Sequence, residues 1–360
     1  MKTEHSFKNK LTVYTLVMTL FVVMSHWTHY YLTTGLGAGS DAYAYISRLW
    51  SLLGSVSLVF FFGMSGFLFM RGVASRADLG GKMLRRLVSL GIPFVAWNLF
   101  NLIYNIAYGL YKGSLDIGFT DILYGFSFSP FNSPMWYLLA LLLLMCLSPL
   151  LLLLKNRPRV TLIVALGTIA LVYVLYCLLE PTHWLLLWLK RLLGYLPVYV
   201  VGAALALHAE ETVTSGGAYA HSRFVTVGAA VLSLAMVLLF VLGGEMSIWL
   251  KWPVYQLLPV LLWLSVPSKL LEGARLSLPL TVSPFVYAMH SVLILILNSL
   301  WTQKLFGGVD FPLAVDILFH LLLVGVLWVI CLGTAFVLKK LLPERIYKIF
   351  AGGSAGRKMY

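Results

Sequence analysis

The stretch Leu11-Thr-Val-Tyr-Thr-Leu-Val-Met-Thr-Leu-Phe-Val-Val-Met-Ser-His-Trp-Thr-His-Tyr-Tyr-Leu32 decides how the chain reads. It is apolar and as long as a bilayer-crossing helix, yet a line of polar side chains runs through it. Thr12, Thr15, Thr19, His26, His29 and Thr33 recur at steps of three and four, with Val22 filling the one apolar turn, so they share one helical face. Polar groups are disfavoured in hydrocarbon, which turns that face toward other helices or a wet cavity. An imidazole there, with an ordinary pKa of about 6.5, can take or give a proton near neutrality. The competing reading is that both histidines only hydrogen-bond to neighbouring helices.

The rest of the chain has the same character. Its 360 residues are 60% hydrophobic and 11% charged, with a mean hydropathy of +0.90, whereas a soluble domain carries about 25% charged residues. The reading is an all-α polytopic membrane protein. A net charge of +13 raises the question of nucleic acid, but the basic residues form short clusters between apolar spans, the pattern of membrane orientation, so nucleic-acid binding is set aside. Cys146, Cys177 and Cys331 all fall in apolar runs with no metal-ligand spacing, and are read as core filler rather than a disulfide framework or a metal site. Lys2, Lys8 and Lys10 ahead of the first span resemble a signal sequence. With no small-residue cleavage site following, the segment is read as a retained helix.

On a template of about 20 apolar residues per crossing, about ten spans are expected, at roughly 11–32, 46–70, 87–111, 134–154, 160–179, 192–208, 224–243, 252–267, 282–301 and 312–338. With the N-terminus inside, the outer segments hold only Arg48, Lys112, Lys190, Arg191, Lys251 and Lys304 of the 26 Lys and Arg. That asymmetry places both termini in the cytoplasm. No linker, appendage or repeat divides the series, so residues 1–360 are treated as a single domain.

Candidate chemistry is spread along the chain. Gly35, Gly37 and Gly39 follow a helix rather than a strand and mark a turn, not a dinucleotide fingerprint. Gly63 and Gly66, with Ser65 between them, make a smooth patch open either to another helix or to a thin ligand. Arg71, Arg76, Lys82, Arg85 and Arg86, opposed only by Asp78, exceed what orientation requires. They suit either the phosphates of a nucleotide-linked donor such as coenzyme A, aided by the start of the third helix, or anionic lipid headgroups. Asn98, Asn101 and Asn105 form a second polar face beside Pro93 and Trp97, lining a cavity or bonding between helices. Asp116 and Asp121 lie in the longest outer connection, a lining suited to a sugar-like acceptor. Ser133 and Pro134 read as N-cap and first helical residue, setting Trp136 and Tyr137 at the outer rim, where interfacial anchoring is the simpler role. His183, His208 and His221 fall in or beside connections and are read as solvated. Tyr287, His290, Ser291 and Asn298 share a face of the ninth span. His290 lies about 10 Å from its inner end and His26 about 15 residues deep, so the two need not touch.

Together these motifs resemble the acyltransferase-3 family, ten-helix membrane enzymes that transfer acyl groups, usually acetyl, to carbohydrates. The resemblance rests on Val22-Val-Met-Ser-His26, on Phe60-Phe-Phe-Gly-Met-Ser-Gly-Phe-Leu-Phe69, on Arg85-Arg86 leading to Ile92-Pro-Phe-Val-Ala-Trp-Asn98, and on Pro284-Phe-Val-Tyr-Ala-Met-His290. Met135-Trp-Tyr-Leu138 and Gly352-Gly353 also match, and coverage runs end to end. No single motif is specific; their order and spacing are.

The resemblance implies acyl-CoA, acetyl-CoA first, engaged from the cytoplasm, and a carbohydrate or lipid-linked sugar acceptor from the outer side of a cell membrane, the bacterial cytoplasmic membrane foremost. It makes His26 the catalytic histidine and matches Lys82 with Arg85 to a basic-x-x-basic donor motif. Tyr287 and His290 match a late Tyr-x-x-His element. Ser65, Arg71 and Arg86 join the donor set, and Asn98, Asp121 and Trp136 the acceptor set. His29 is expected to orient the base or the sugar. Asp41, a tyrosine or a backbone carbonyl is expected to fix the imidazole tautomer. One departure stands out: where the family often carries an arginine eleven residues before the helix-one histidine, this chain has Thr15, so Lys8 or Lys10 must substitute or donor handling differs. The expected function is a membrane O-acyltransferase with no metal. A transporter or lipid-linked-sugar flippase is the rival, and a surface-polysaccharide polymerase a weaker one.

Overall fold

The computed structural model describes residues 2–34, 41–114, 117–127, 130–214, 222–267, 279–298, 300 and 312–351. Side chains of residues 2, 3, 28–34, 41–43, 279–284, 298, 313, 316 and 320 lie outside the description, and with them the expectations for His29, Thr33, Asp41 and Asn298. So do the Gly35 to Gly39 turn, Asp116, His221 and Gly352-Gly353.

Every regular element among the described residues is helical. The order is α1 (Lys2–Thr34), α2 (Asp41–Met70), α3 (Arg76–Lys112), α4 (Phe119–Gly125), a 3-10 turn (Ser133–Met135), α5 (Trp136–Met145), α6 (Ser148–Leu152), α7 (Pro158–Leu178), α8 (Trp184–His208), α9 (Glu210–Thr214), α10 (Arg223–Leu242), α11 (Ile248–Ser265), α12 (Pro279–Asn298), α13 (Leu313–Leu341) and α14 (Glu344–Ala351). Seven of these, α1, α2, α3, α7, α8, α10 and α13, contain a span long and apolar enough to cross a membrane. The other three expected spans are not among these seven. The fourth is broken at Cys146-Leu147 into α5 and α6, where Pro149 has no N–H to continue the ladder. The eighth is α11, with Pro253 and Pro259 inside it, and the ninth is α12.

Contacts at helix ends define two faces of the bundle. At one, the Arg71 guanidinium joins Glu4 and Glu210, both at 2.6 Å, so α1 begins where α2 and α8 end. Lys155 Nζ donates to the carbonyls of Val73 (2.9 Å) and Ala74 (3.2 Å) at the same face. At the opposite face Arg48 donates to the Val241 carbonyl (3.1 Å), and the Tyr173 hydroxyl to that of Trp249 (2.9 Å).

Helix α2 is the central packing element, with α1, α8, α10 and α11 around it. Its glycine patch is taken up by α8 rather than by a ligand. A Cβ on Gly66 would stand 2.2 Å from the Tyr199 carbonyl oxygen, and one on Gly202 would stand 2.0 Å from that of Gly63, so the two backbones are in contact. The periphery is apolar: Leu162, Ile163 and Leu166 on α7 and Val227, Val231 and Leu234 on α10 point outward, as helices facing hydrocarbon do.

The polar stripe of α1 turns inward. Thr12 and Thr19 are buried, and their hydroxyls bond back to the Lys8 and Thr15 carbonyls at 2.8 and 2.7 Å, a bond within the helix that satisfies the hydroxyl hydrogen. Lys10, 4% exposed, donates to the Trp263 carbonyl at 2.6 Å and lies 4.2 Å from the Trp263 ring centroid. A buried ammonium is stabilised by such a face.

Two sequence readings are corrected here. Helix α3 begins at Arg76, not near residue 87, because Ser75 and Asp78 form a capping box: Ser75 N donates to the Asp78 carboxylate (2.9 Å) and Asp78 N to Ser75 Oγ (3.2 Å). The cation cluster therefore lies on the first turns of a helix, and the amides at its start already serve Asp78 and Ser75 instead of a bound anion. Of the cysteines, only Cys331 is buried; Cys146 is exposed and Cys177 half-buried. The connection histidines His183 and His208 are exposed, as expected, and each also has a local partner: His183 Nδ1 accepts from Leu185 N (3.3 Å) at the start of α8, and His208 Nε2 bonds the Thr161 hydroxyl (2.9 Å).

Candidate active site

The two histidines that the sequence left apart meet. The His26 and His290 ring centroids are 5.1 Å apart, at 47° between planes. His290 is deeper than expected because α12 starts at Pro279, about 16 Å of helix before it. It is fully buried, and among the described residues neither ring nitrogen has a hydrogen-bond partner of good geometry. His26 is half-buried. Buried polar atoms are almost always paired, and an orphaned one costs about 1–3 kcal/mol, so two on one imidazole mark a place built to receive polar atoms.

Around this pair the 3-10 turn and α12 are stitched together. The Tyr287 hydroxyl donates to the Pro134 carbonyl (2.7 Å), and its ring lies 5.8 Å from His290 and 5.5 Å from Tyr137. Asn132, 1% exposed, is the hub. Its amide nitrogen donates to the Ala288 carbonyl (2.9 Å) and its amide oxygen accepts from Ser291 Oγ (3.0 Å). Its backbone N–H donates to Asn98 Oδ1 (3.1 Å), while Asn98 Nδ2 bonds back to Phe94 (2.7 Å). Asn98 thus serves bonding between elements. Asn101 is buried and bonds back to Trp97 (2.9 Å), and Asn105 is exposed, so the three do not line one cavity. From the Arg71 face, α14 holds the start of α12: Tyr347 stacks on Phe285 at 5.9 Å, and Trp97 Nε1 donates to the Phe350 carbonyl (2.9 Å). The basic C-terminal segment is therefore a packing element as well as a charge signal.

The expected donor residues separate into two groups. Arg71 is committed to Glu4 and Glu210, and hydrogen bonding to Glu4 above all raises its pKa still further. Lys82 donates to the carbonyls of Phe69 and Arg71, closing the end of α2. Arg85 is exposed, and Arg86 is half-buried with the Tyr137 and Tyr199 hydroxyls as its electrostatic neighbours. Neither makes an ion pair among the described residues. Ser65 bonds the Tyr137 hydroxyl, and Ser148 Oγ lies 3.2 Å from that of Tyr199. Arg86, Tyr137, Tyr287 and the histidines therefore mark a polar track from the Arg71 face into the bundle. Of the two lysines expected to compensate at Thr15, Lys8 lies 3.7 Å from Glu4, and Lys10 is held by Trp263.

Of the expected acceptor residues, Asp121 is exposed and its carboxylate caps α4 by accepting from Gly118 N (2.8 Å). Trp136 is half-buried between Tyr195 (5.8 Å) and Phe62 (6.2 Å), with the Arg191 guanidinium 4.9 Å above it, so it is more than a rim anchor. Sequence reasoning missed Asn132, whose only signal is its place directly before Ser133-Pro134.

Fold and site define a multi-pass helical membrane protein with a buried histidine, His290, against a half-buried one, His26. The chain belongs to the acyltransferase-3 family: the family model, described as an acyltransferase domain, matches residues 16–339, nearly the whole chain. No curated protein and no solved structure matches it.

Proposed function

We propose that this chain is an O-acyltransferase that moves an acyl group, acetyl in the simplest case, from cytoplasmic acyl-CoA to a hydroxyl of a cell-surface or lipid-linked carbohydrate. The observation that carries the reading is the contact between half-buried His26 and buried His290 inside the Asn132 network, in a chain of an acyltransferase family. The Arg71 face is cytoplasmic on this reading, by the excess of Lys and Arg there. Arg85 and Arg86 receive the donor phosphates, since Arg71 and Lys82 are already engaged. From Arg86 to Asn98 the helix rises about 18 Å, a span that an extended pantetheine arm covers.

His26 acts as general base. Its neutral ring takes the proton of the acceptor hydroxyl as that oxygen attacks the thioester carbonyl. The C–S bond then breaks, and the leaving thiolate takes the proton back from the imidazolium. General-base help of this kind contributes about 10² to 10⁴ in rate, and positioning of two bound substrates supplies much of the rest. Tyr287, whose hydroxyl is committed to Pro134, acts as a positioning residue for His290.

The test is transfer by the full chain in nanodiscs, with acetyl-CoA as donor and cell-envelope carbohydrate as acceptor. Mass spectrometry should find acylated carbohydrate in step with CoA release, and Arg85→Gln with Arg86→Gln should raise the donor KM. Carbohydrate crossing the membrane unacylated would instead favour a transporter.

A further inference from the structure

A second site lies away from the histidines. Between α2, α7, α8 and α11, toward the Arg48 face, is a cavity of about 320 Å³ whose lining includes Tyr176, Lys190, Arg191, Tyr195, Trp252 and Gln256. That volume accommodates a small ligand. Two cations converge in it from one turn of α8. Lys190 Nζ donates to the Leu179 carbonyl (2.8 Å) and lies 5.0 Å from the Tyr176 ring centroid. Arg191 is held over Trp136, with no hydrogen bond recorded to any of its donors among the described residues. Glu180, exposed beside Pro181 at the mouth, pairs with neither.

The facing wall has polar atoms to spare. Gln256 Nε2 donates to the Gly194 carbonyl (3.1 Å), while its buried Oε1 accepts nothing. Trp252 is 4% exposed, and its Nε1–H also has no partner. One wall thus carries two cations, and the other is formed by Gln256 and Trp252 among aromatic rings, with the unpaired Oε1 and Nε1–H buried just behind the cavity surface. Arg191 is exposed and Lys190 half-buried, and on the side poor in Lys and Arg a pair of adjacent cations is not explained by orientation.

We propose that this cavity binds an anionic sugar: Arg191 and Lys190 hold a phosphate or carboxylate, Gln256 and Trp252 take ring hydroxyls, and the tyrosines pack on the ring. The site stands on its own geometry; calling its occupant the acceptor, held here before it reaches His26, and so giving the acceptor a negative charge, rests on the proposed transferase reading. Trp136 links the two places, because its ring lies under Arg191 and its chain neighbour Tyr137 packs on Tyr287.

The experiment measures binding to the full chain in neutral-lipid nanodiscs, followed by tryptophan fluorescence, with glucose 1-phosphate, glucuronic acid and glucose as probes. An anionic probe should bind at least about tenfold more tightly than glucose, and Arg191→Gln or Lys190→Gln should remove that preference. Gln256→Ala, which leaves the charges in place, should weaken the anionic probe and glucose alike, and guards against misfolding of the charge variants. His26→Ala should bind as the parent does, so loss of transfer with binding intact separates the two readings. Repeating the titration in phosphatidylglycerol nanodiscs distinguishes sources: competition by the lipid means that a headgroup phosphate supplies the anion, and undiminished binding means a free sugar does. Equal affinity for glucose and its phosphate, unchanged anion affinity in Arg191→Gln, or no binding at millimolar concentration overturns the proposal.

Discussion

His26 and His290 come from opposite ends of the chain, yet their rings lie 5.1 Å apart, and among the described residues the more buried of the two has no hydrogen-bond partner of good geometry at either nitrogen. An unpaired buried imidazole destabilises a fold. His290→Leu should therefore leave thermal stability equal to the parent's or raise it by up to about 1–3 kcal/mol while transfer falls. A calorimetric melt beside a turnover assay checks this. Clear destabilisation by leucine would show that the ring's role is to hold the bundle.

Asn132 ties α12 to the turn before α5 through Ala288 and Ser291. Asn132→Ala removes two bonds and leaves buried partners unpaired, so it should cost about 1–3 kcal/mol and lower kcat. Asn105→Ala, at an exposed position, should stay within about 0.5 kcal/mol. Denaturation in detergent compares the two.

Gly66 and Gly202 allow the α2 and α8 backbones to touch. Gly66→Ala should cost about 3 kcal/mol, the upper part of the overpacking range. Gly91→Ala, with nothing within 4 Å of the added methyl, should stabilise α3 by about 0.5–1 kcal/mol. Equal effects at the two positions would contradict this packing.

The cations of the Arg71 face should divide by role. Arg71→Gln breaks partly exposed ion pairs to Glu4 and Glu210; it should cost about 1 kcal/mol or less and leave the donor KM unchanged. Arg85→Gln with Arg86→Gln should do the reverse. Parallel KM and melting measurements on the two proteins separate these outcomes.

Much of this was legible along the chain wherever the signal was local. The α1 stripe faces inward as its spacing required, with Thr12 and Thr19 buried. The Ser75-x-x-Asp78 spacing of the α3 capping box is also in the sequence, but the cations after it read as a loop. Contacts between distant segments were not legible. Nothing local to Arg71 points to Glu4 and Glu210, and nothing around Asn132 points to Ala288. The meeting of His26 and His290 depends on where α12 begins, and chain position alone gave it too short a lead.

The central claim is that His26 carries a proton between acceptor and donor, and one measurement addresses it directly: kcat for acyl transfer by His26→Asn, with folding and acyl-CoA binding checked on the same preparation. The account predicts a fall of about 10² to 10⁴ with binding retained. Transfer at the parent's rate by a folded, donor-binding His26→Asn protein would contradict it.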